Sequence, residues 1–198
     1  NLLDEIIGVE IPMTATAFKF ATYEDLFDLP ENLVGEIIHG QLITQPRPAP
    51  KHIVASSALG EELVGPFQKG RGDGPGGWWI LDEPELHLGP HILVPDLAGW
   101  RRERLPAMPD TAFFTLPPDW VCEVLSPGTA RIDRADKMPI YAEYGVSFLW
   151  LIDPALHTLE AFVLRDGHWS LEHVYQENDE VRAVPFDAVA FSLAGLWS

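Results

Sequence analysis

The chain predicts an α/β fold: a single domain with a mixed central β-sheet flanked by helices. Three features of its pattern lead there. Apolar, strand-like runs follow one another at 78–81, 85–88, 91–100, 120–125, 148–152, 158–164 and 169–175. One helical pattern, at 51–68, precedes the series and another, at 136–144, interrupts it, without the regular alternation of a doubly wound sheet. Finally, 198 residues with 46% hydrophobic and 22% charged side chains make an ordinary globular domain with a sizeable core.

Each element has a local reason. Thr22 before Tyr23-Glu24-Asp25-Leu26-Phe27 is an N-cap with an acidic first turn, and Pro30 stops the helix. Residues 36–43 form a hairpin on a glycine turn. In the 51–68 helix Ile53, Val54, Ala58, Leu59, Leu63 and Phe67 recur at helical spacing. The glycine-rich stretch 70–77 is a loop; it lacks the Gly-Lys-Ser/Thr ending of a phosphate-binding loop, and its Arg-Gly-Asp tripeptide is read as chance. In the 136–144 helix, capping near Asp136 places Pro139 in the first turn, where its missing N–H costs nothing. Residues 183–197 close the core, and residues 1–17 form an arm ahead of the domain at 18–198, with Met13 a candidate native start.

Thirteen Lys and Arg against thirty Asp and Glu give a net charge of −17, which opposes generic nucleic-acid binding. The acidity is uneven. Residues 96–137 carry six basic and seven acidic side chains, so this segment is close to neutral. One cysteine, Cys122, excludes an internal disulfide. With no secretory pattern at the start and no apolar run long enough to span a membrane, a cytoplasmic protein is expected.

The neutral segment holds the chemistry. Glu123 lies in Trp120-Val121-Cys122-Glu123-Val124-Leu125, a run apolar on both faces and therefore central. A carboxylate there needs a cationic partner or a metal. Pro95 breaks strand pairing and presents Asp96 beside the break. If the two strands are antiparallel neighbours with matching pleats, Asp96 and Glu123 share a face, and such oxygens suit Mg²⁺ or Mn²⁺. Lys137 is either an exposed helix lysine or the group that orients an attacking water and stabilises phosphate charge.

Asp96 after Pro95, Glu123 in Glu-Val-Leu-Ser-Pro, Lys137 and Tyr141 ahead of Gly145-Val146, and Leu149-Trp150-Leu151-Ile152-Asp153-Pro154 together resemble the domain of unknown function family 820. That family is a restriction-endonuclease branch of the PD-(D/E)XK nuclease superfamily. The resemblance extends back to Val34–Leu42 and to His52, covering nearly the whole chain. It implies a restriction-endonuclease-like core and a Mg²⁺ (or Mn²⁺) dependent endonuclease acting on DNA, leaving a 5′-phosphate and a 3′-hydroxyl. By matched position Asp96, Glu123 and Glu36 are the implied metal ligands. Leu125 stands where the superfamily usually has lysine, so the resemblance assigns that role to Lys137. His39 replaces the family's acid before Gly40.

Other residues carry weaker signals. His52, Arg101 and Arg102 are candidates for contacts to substrate phosphates. Tyr141 shares a helical face with Lys137, and packing is its favoured role. His87 and His91 lack the company that a zinc site needs. Cys122 reads as a small buried hydrophobe, Asp153-Pro154 as a turn, and the seven tryptophans as core and rim. Exposed edge strands and the apolar Phe191, Leu193, Leu196 and Trp197 are compatible with a homodimer. The alternative to the nuclease is a non-catalytic module that holds nucleic acid or protein on the same fold; a small-substrate phosphoesterase ranks third.

Overall fold

The computed structural model describes residues 20–197; the arm expected at 1–17, with Met13, lies outside the described residues. The chain opens with α1 (Tyr23–Phe27), β1 (Leu33–Ile38), β2 (Gln41–Pro46) and α2 (Pro50–Leu63). Then come β3 (Trp78–Asp82), β4 (Leu86–Leu88), β5 (His91–Leu93), β6 (Leu97–Arg101) and β7 (Trp120–Val124). Next are the helical pieces α3 (Ala130–Ile132) and α4 (Met138–Glu143), followed by β8 (Phe148–Asp153), β9 (Thr158–Arg165) and β10 (His168–Gln176). Two short strands, β11 (Glu180–Val181) and β12 (Phe191–Ser192), and a 3₁₀ turn at Leu193–Leu196 complete it.

Asp25 takes the main-chain N–H and the hydroxyl of Thr22, so the first helix begins as its sequence predicts. The β1–β2 hairpin turns at His39 and Gly40, both with positive φ (52° and 73°), as a two-residue turn matched to strand twist requires. α2 forms where its pattern predicts and buries Leu59 and Leu63, but Ile53 and Val54 of the expected apolar stripe are exposed. The segment finishes in a π-helical turn at Val64–Gln68 that buries Phe67.

The central sheet has six strands in the order β10-β9-β8-β7-β6-β3, and it is mixed: β7 and β8 run parallel, the other neighbours antiparallel. The parallel pair needs a crossover, and the helical segment 130–143 supplies it. A second, antiparallel sheet runs β2-β1-β5-β4.

The strand expected at 91–100 is in fact two strands in different sheets. Pro95 cannot donate to a ladder, so the chain leaves the second sheet after Leu93 and joins the central one at Leu97. The second helical segment also differs from expectation. It begins at Ala130 rather than near Asp136, and Asp133–Lys137 forms a π-helical turn before Pro139. The widened turn accommodates a proline inside the segment, where an α-helix would lose a bond and suffer a ring clash.

Two cores flank the central sheet. Cys122 and Val124 face α2 and the closing segment, whereas Val121 and Leu125 face α4 and the second sheet. Trp100, Trp120 and Trp150 are fully buried between these layers. Of the apolar residues near the end, Phe191, Leu193 and Leu196 are buried in the core and Trp197 is half-buried. Among the described residues no helix is long and apolar enough to cross a membrane.

Candidate active site

The β6–β7 ladder pairs Leu97 with Cys122, which sets Asp96 opposite Glu123 on the face that looks away from Cys122. Glu36 arrives from β1 in the other sheet, and the helical crossover supplies Lys137. The Nζ of Lys137 lies 2.8 Å from Glu123 Oε1, 3.0 Å from Glu36 Oε1 and 3.7 Å from Asp133 Oδ1. Glu36, Glu123, Asp133 and Lys137 are all buried, each 2–3% exposed.

Backbone and side-chain bonds hold these carboxylates in place. Glu36 Oε1 also accepts the N–H of Val94 at 2.7 Å. Asp96 Oδ2 accepts the N–H of Val124 at 2.7 Å, and its Oδ1 lies 3.2 Å from His52 Nε2, brought by the first turn of α2. Tyr141 donates its hydroxyl to Glu123 Oε1 at 2.6 Å, so that oxygen serves both Tyr141 and Lys137. The stripe Asp133, Lys137 and Tyr141, four residues apart, presents one helical edge to Glu123.

Burial pushes the Glu123 carboxyl well above its ordinary range; Lys137 opposes this, while Asp133, Asp96 and Glu36 reinforce it. Asp133 is raised for the same first reason. Burial would lower Lys137, but the charges of Glu123 and Glu36 prevail and raise it well above its usual value, so it stays an ammonium at neutral pH. Burial likewise acts to lower His52, yet the hydrogen bond and charge of Asp96 leave its imidazole more basic than usual. The hydroxyl of Tyr141 is pushed up by burial and by Glu123.

The cluster forms the floor of a cavity of about 410 Å³. Residues of β2 and the following turn, Thr44 to Ala49, wall one side, and Ser126 to Thr129 wall another. Four carboxylates (Glu36, Asp96, Glu123, Asp133) cluster there with Lys137 and His52, and Glu83 and Arg47 complete the charged lining. Among the described residues no three His, Cys, Asp or Glu side chains form a ready-made metal cage. One or two carboxylates completed by water are the usual way a protein holds Mg²⁺.

Six of the eight residues singled out from sequence thus converge: Glu36, His52, Asp96, Glu123, Lys137 and Tyr141. Tyr141 does more than pack, because its hydroxyl bonds Glu123. Arg101 and Arg102 lie elsewhere. An extended strand carries Arg101 about 17 Å from Asp96 at roughly 3.4 Å per residue, and Arg102 follows it. Their guanidinium groups sit over Trp78 and Trp79. His87 stacks on Phe113, and His91 accepts a bond from the N–H of His39, so neither serves this cluster. Asp153 caps a turn through the N–H groups of Ala155 and Leu156. Asp133 had not been singled out; its position one helical turn before Lys137 was the available signal.

No curated protein matches this chain. A crystal structure described as "a putative nuclease belonging to DUF820 from Anabaena variabilis ATCC 29413" shares the fold, with a TM-score of 0.72 and 24% identity over 89% of this chain and 97% of that one. The family model Uma2, described as "Putative restriction endonuclease", matches residues 20–194. The chain belongs to that family of restriction-endonuclease-like proteins.

Proposed function

We propose that this protein is a metal-dependent endonuclease that hydrolyses phosphodiester bonds of DNA. One observation carries the proposal: five carboxylates face three basic groups in the lining of one cavity, leaving formal negative charge that a divalent cation would offset. Membership of the restriction-endonuclease-like family supports the same chemistry.

The donor set fits Mg²⁺ or Mn²⁺, because every acidic side chain in it offers hard oxygen. Asp96 and Glu123 would hold the ion, with Glu36 beside them. When bound, it supplies Lewis-acid activation of water and neutralisation of phosphate charge. Lys137, kept protonated, is a donor toward charge developing on the non-bridging oxygens and not the base that takes a proton from water. Tyr141 fixes Glu123, while His52 and the N–H of Val124 fix Asp96, so little reorganisation accompanies the chemistry.

The test is nicking of supercoiled DNA with Mg²⁺, Mn²⁺ or EDTA, beside calorimetric titration of each ion. Wild-type protein should bind the ion and nick; Asp96→Ala and Glu123→Gln should do neither. Ion binding unchanged in both variants would refute the site. A second reading, a non-catalytic binding module, is favoured by the ion pairs of Lys137 with Glu36 and Glu123, which engage oxygens that a cation would otherwise use. It requires nucleic-acid or protein retention that is indifferent to Mg²⁺, with no turnover.

A further inference from the structure

We infer that the substrate is single-stranded DNA, entering one phosphodiester at a time past Arg47. This inference rests on the nuclease function proposed above and adds the form of the strand. The reactive groups are recessed: Glu123 and Lys137 are each only 2% exposed, at the bottom of a cavity of about 410 Å³. That is the size of a small-molecule site. A paired strand can lower one phosphodiester into such a recess only by unstacking its neighbours, whereas an unpaired strand is free to do so.

Charge points the same way. The protein carries −17, and Glu83 adds a fifth carboxylate to the cavity lining. A duplex presents one phosphate charge per roughly 1.7 Å of axis, twice the density of one strand, and its binding depends on many cationic contacts. Arg47 is the single arginine of the lining. Its Nε donates to the carbonyl of Glu31 at 2.9 Å, which anchors the side chain. Its terminal nitrogens have no carboxylate partner among the described residues, leaving a fork suited to the phosphate next to the scissile one. Pro46, Pro48 and Pro127 give the walls apolar stretches, interspersed with the polar Thr44, Gln45, Ser126 and Thr129.

The experiment offers the protein an end-labelled oligonucleotide as a single strand, as a full duplex, and as a duplex with a gap opposite its centre, with Mg²⁺ and with Mn²⁺. Glu123→Gln is the control for contaminating nuclease. The single strand should be cut at least about tenfold faster than the duplex, and cutting of the gapped molecule should fall on the unpaired stretch. Arg47→Ala should raise KM for the single strand about tenfold while kcat stays within about twofold. A duplex cut as fast as the single strand, or faster, would overturn the inference and leave the nuclease standing. An unchanged KM in Arg47→Ala would remove Arg47 from the entry path and overturn the inference as stated. No cutting of any form with either metal would overturn the nuclease and the inference together.

Discussion

The hydroxyl of Tyr141 reaches Oε1 of Glu123 at 2.6 Å, the same oxygen that takes the ammonium of Lys137. One lone-pair direction of a buried carboxylate is thereby fixed by a phenol and another by a cation. The opposite oxygen, Oε2, is left to other partners. Removing the phenol should therefore disturb a charged site without emptying it. Tyr141→Phe is expected to keep the fold and lose about 1.5–3 kcal/mol in urea unfolding, the range for hydrogen bonds to charged groups. Loss of less than about 0.5 kcal/mol would mean that the bond contributes little.

Lys137 and Glu123 form a buried pair, and such pairs are costly to break from one side. Lys137→Met should destabilise by about 3–5 kcal/mol, because Glu123 and Glu36 are then buried together without their cation. Adding Glu123→Gln should recover part of that loss by removing one of the stranded charges. A double-mutant cycle on unfolding midpoints measures the coupling, and simple additivity would contradict it.

The hairpin tip is tied to the neighbouring strand β5 by the N–H of His39, which donates to Nδ1 of His91 at 3.1 Å. His91 can accept only when that nitrogen is unprotonated. Burial, helped by the neighbouring His39 and opposed by Glu143, holds its pKa below the ordinary 6.5. An unfolded histidine takes up its proton near 6.5 while the folded one resists. The stabilisation is thus complete above that pH and declines as pH falls toward the depressed folded value. Wild-type protein should lose stability relative to His91→Gln between about pH 7 and 5.5, read from urea midpoints. Parallel pH profiles for the two proteins would refute this.

Gly40 holds φ at +73° in the same turn, and a β-carbon there would meet the ring of Phe20. Gly40→Ala is expected to cost about 1–2 kcal/mol from backbone strain before any clash is counted. Thermal unfolding of the variant checks it; an unchanged midpoint would show that the turn adapts.

Much of this was legible in the sequence. A carboxylate in the apolar run of β7 and a proline just before Asp96 are both local anomalies, and both mark the site. The antiparallel register that joins them was only one possibility until the β6–β7 ladder fixed it. Other parts were hidden for physical reasons. A π-helical turn has no residue signature, so Pro139 suggested a helix starting six residues too late. Asp133 resembles any helix acid until Lys137 is known to be buried. Arg101 and Arg102 are near Asp96 in sequence, but an extended strand carries them away.

The crease at Pro95 separates two strands that the sequence shows as one. On its near side the N–H of Val94 holds Glu36 of the second sheet; on its far side Asp96 grips the backbone of the central sheet at Val124. The site is consequently shared property of both sheets and belongs to neither. A chain whose two sheets have not docked lacks Glu36 beside Glu123 and Lys137, so the full constellation exists only when both sheets are in place. If the proposed nuclease activity holds, this amounts to a safety catch: copies whose two sheets have not come together lack the full set of groups.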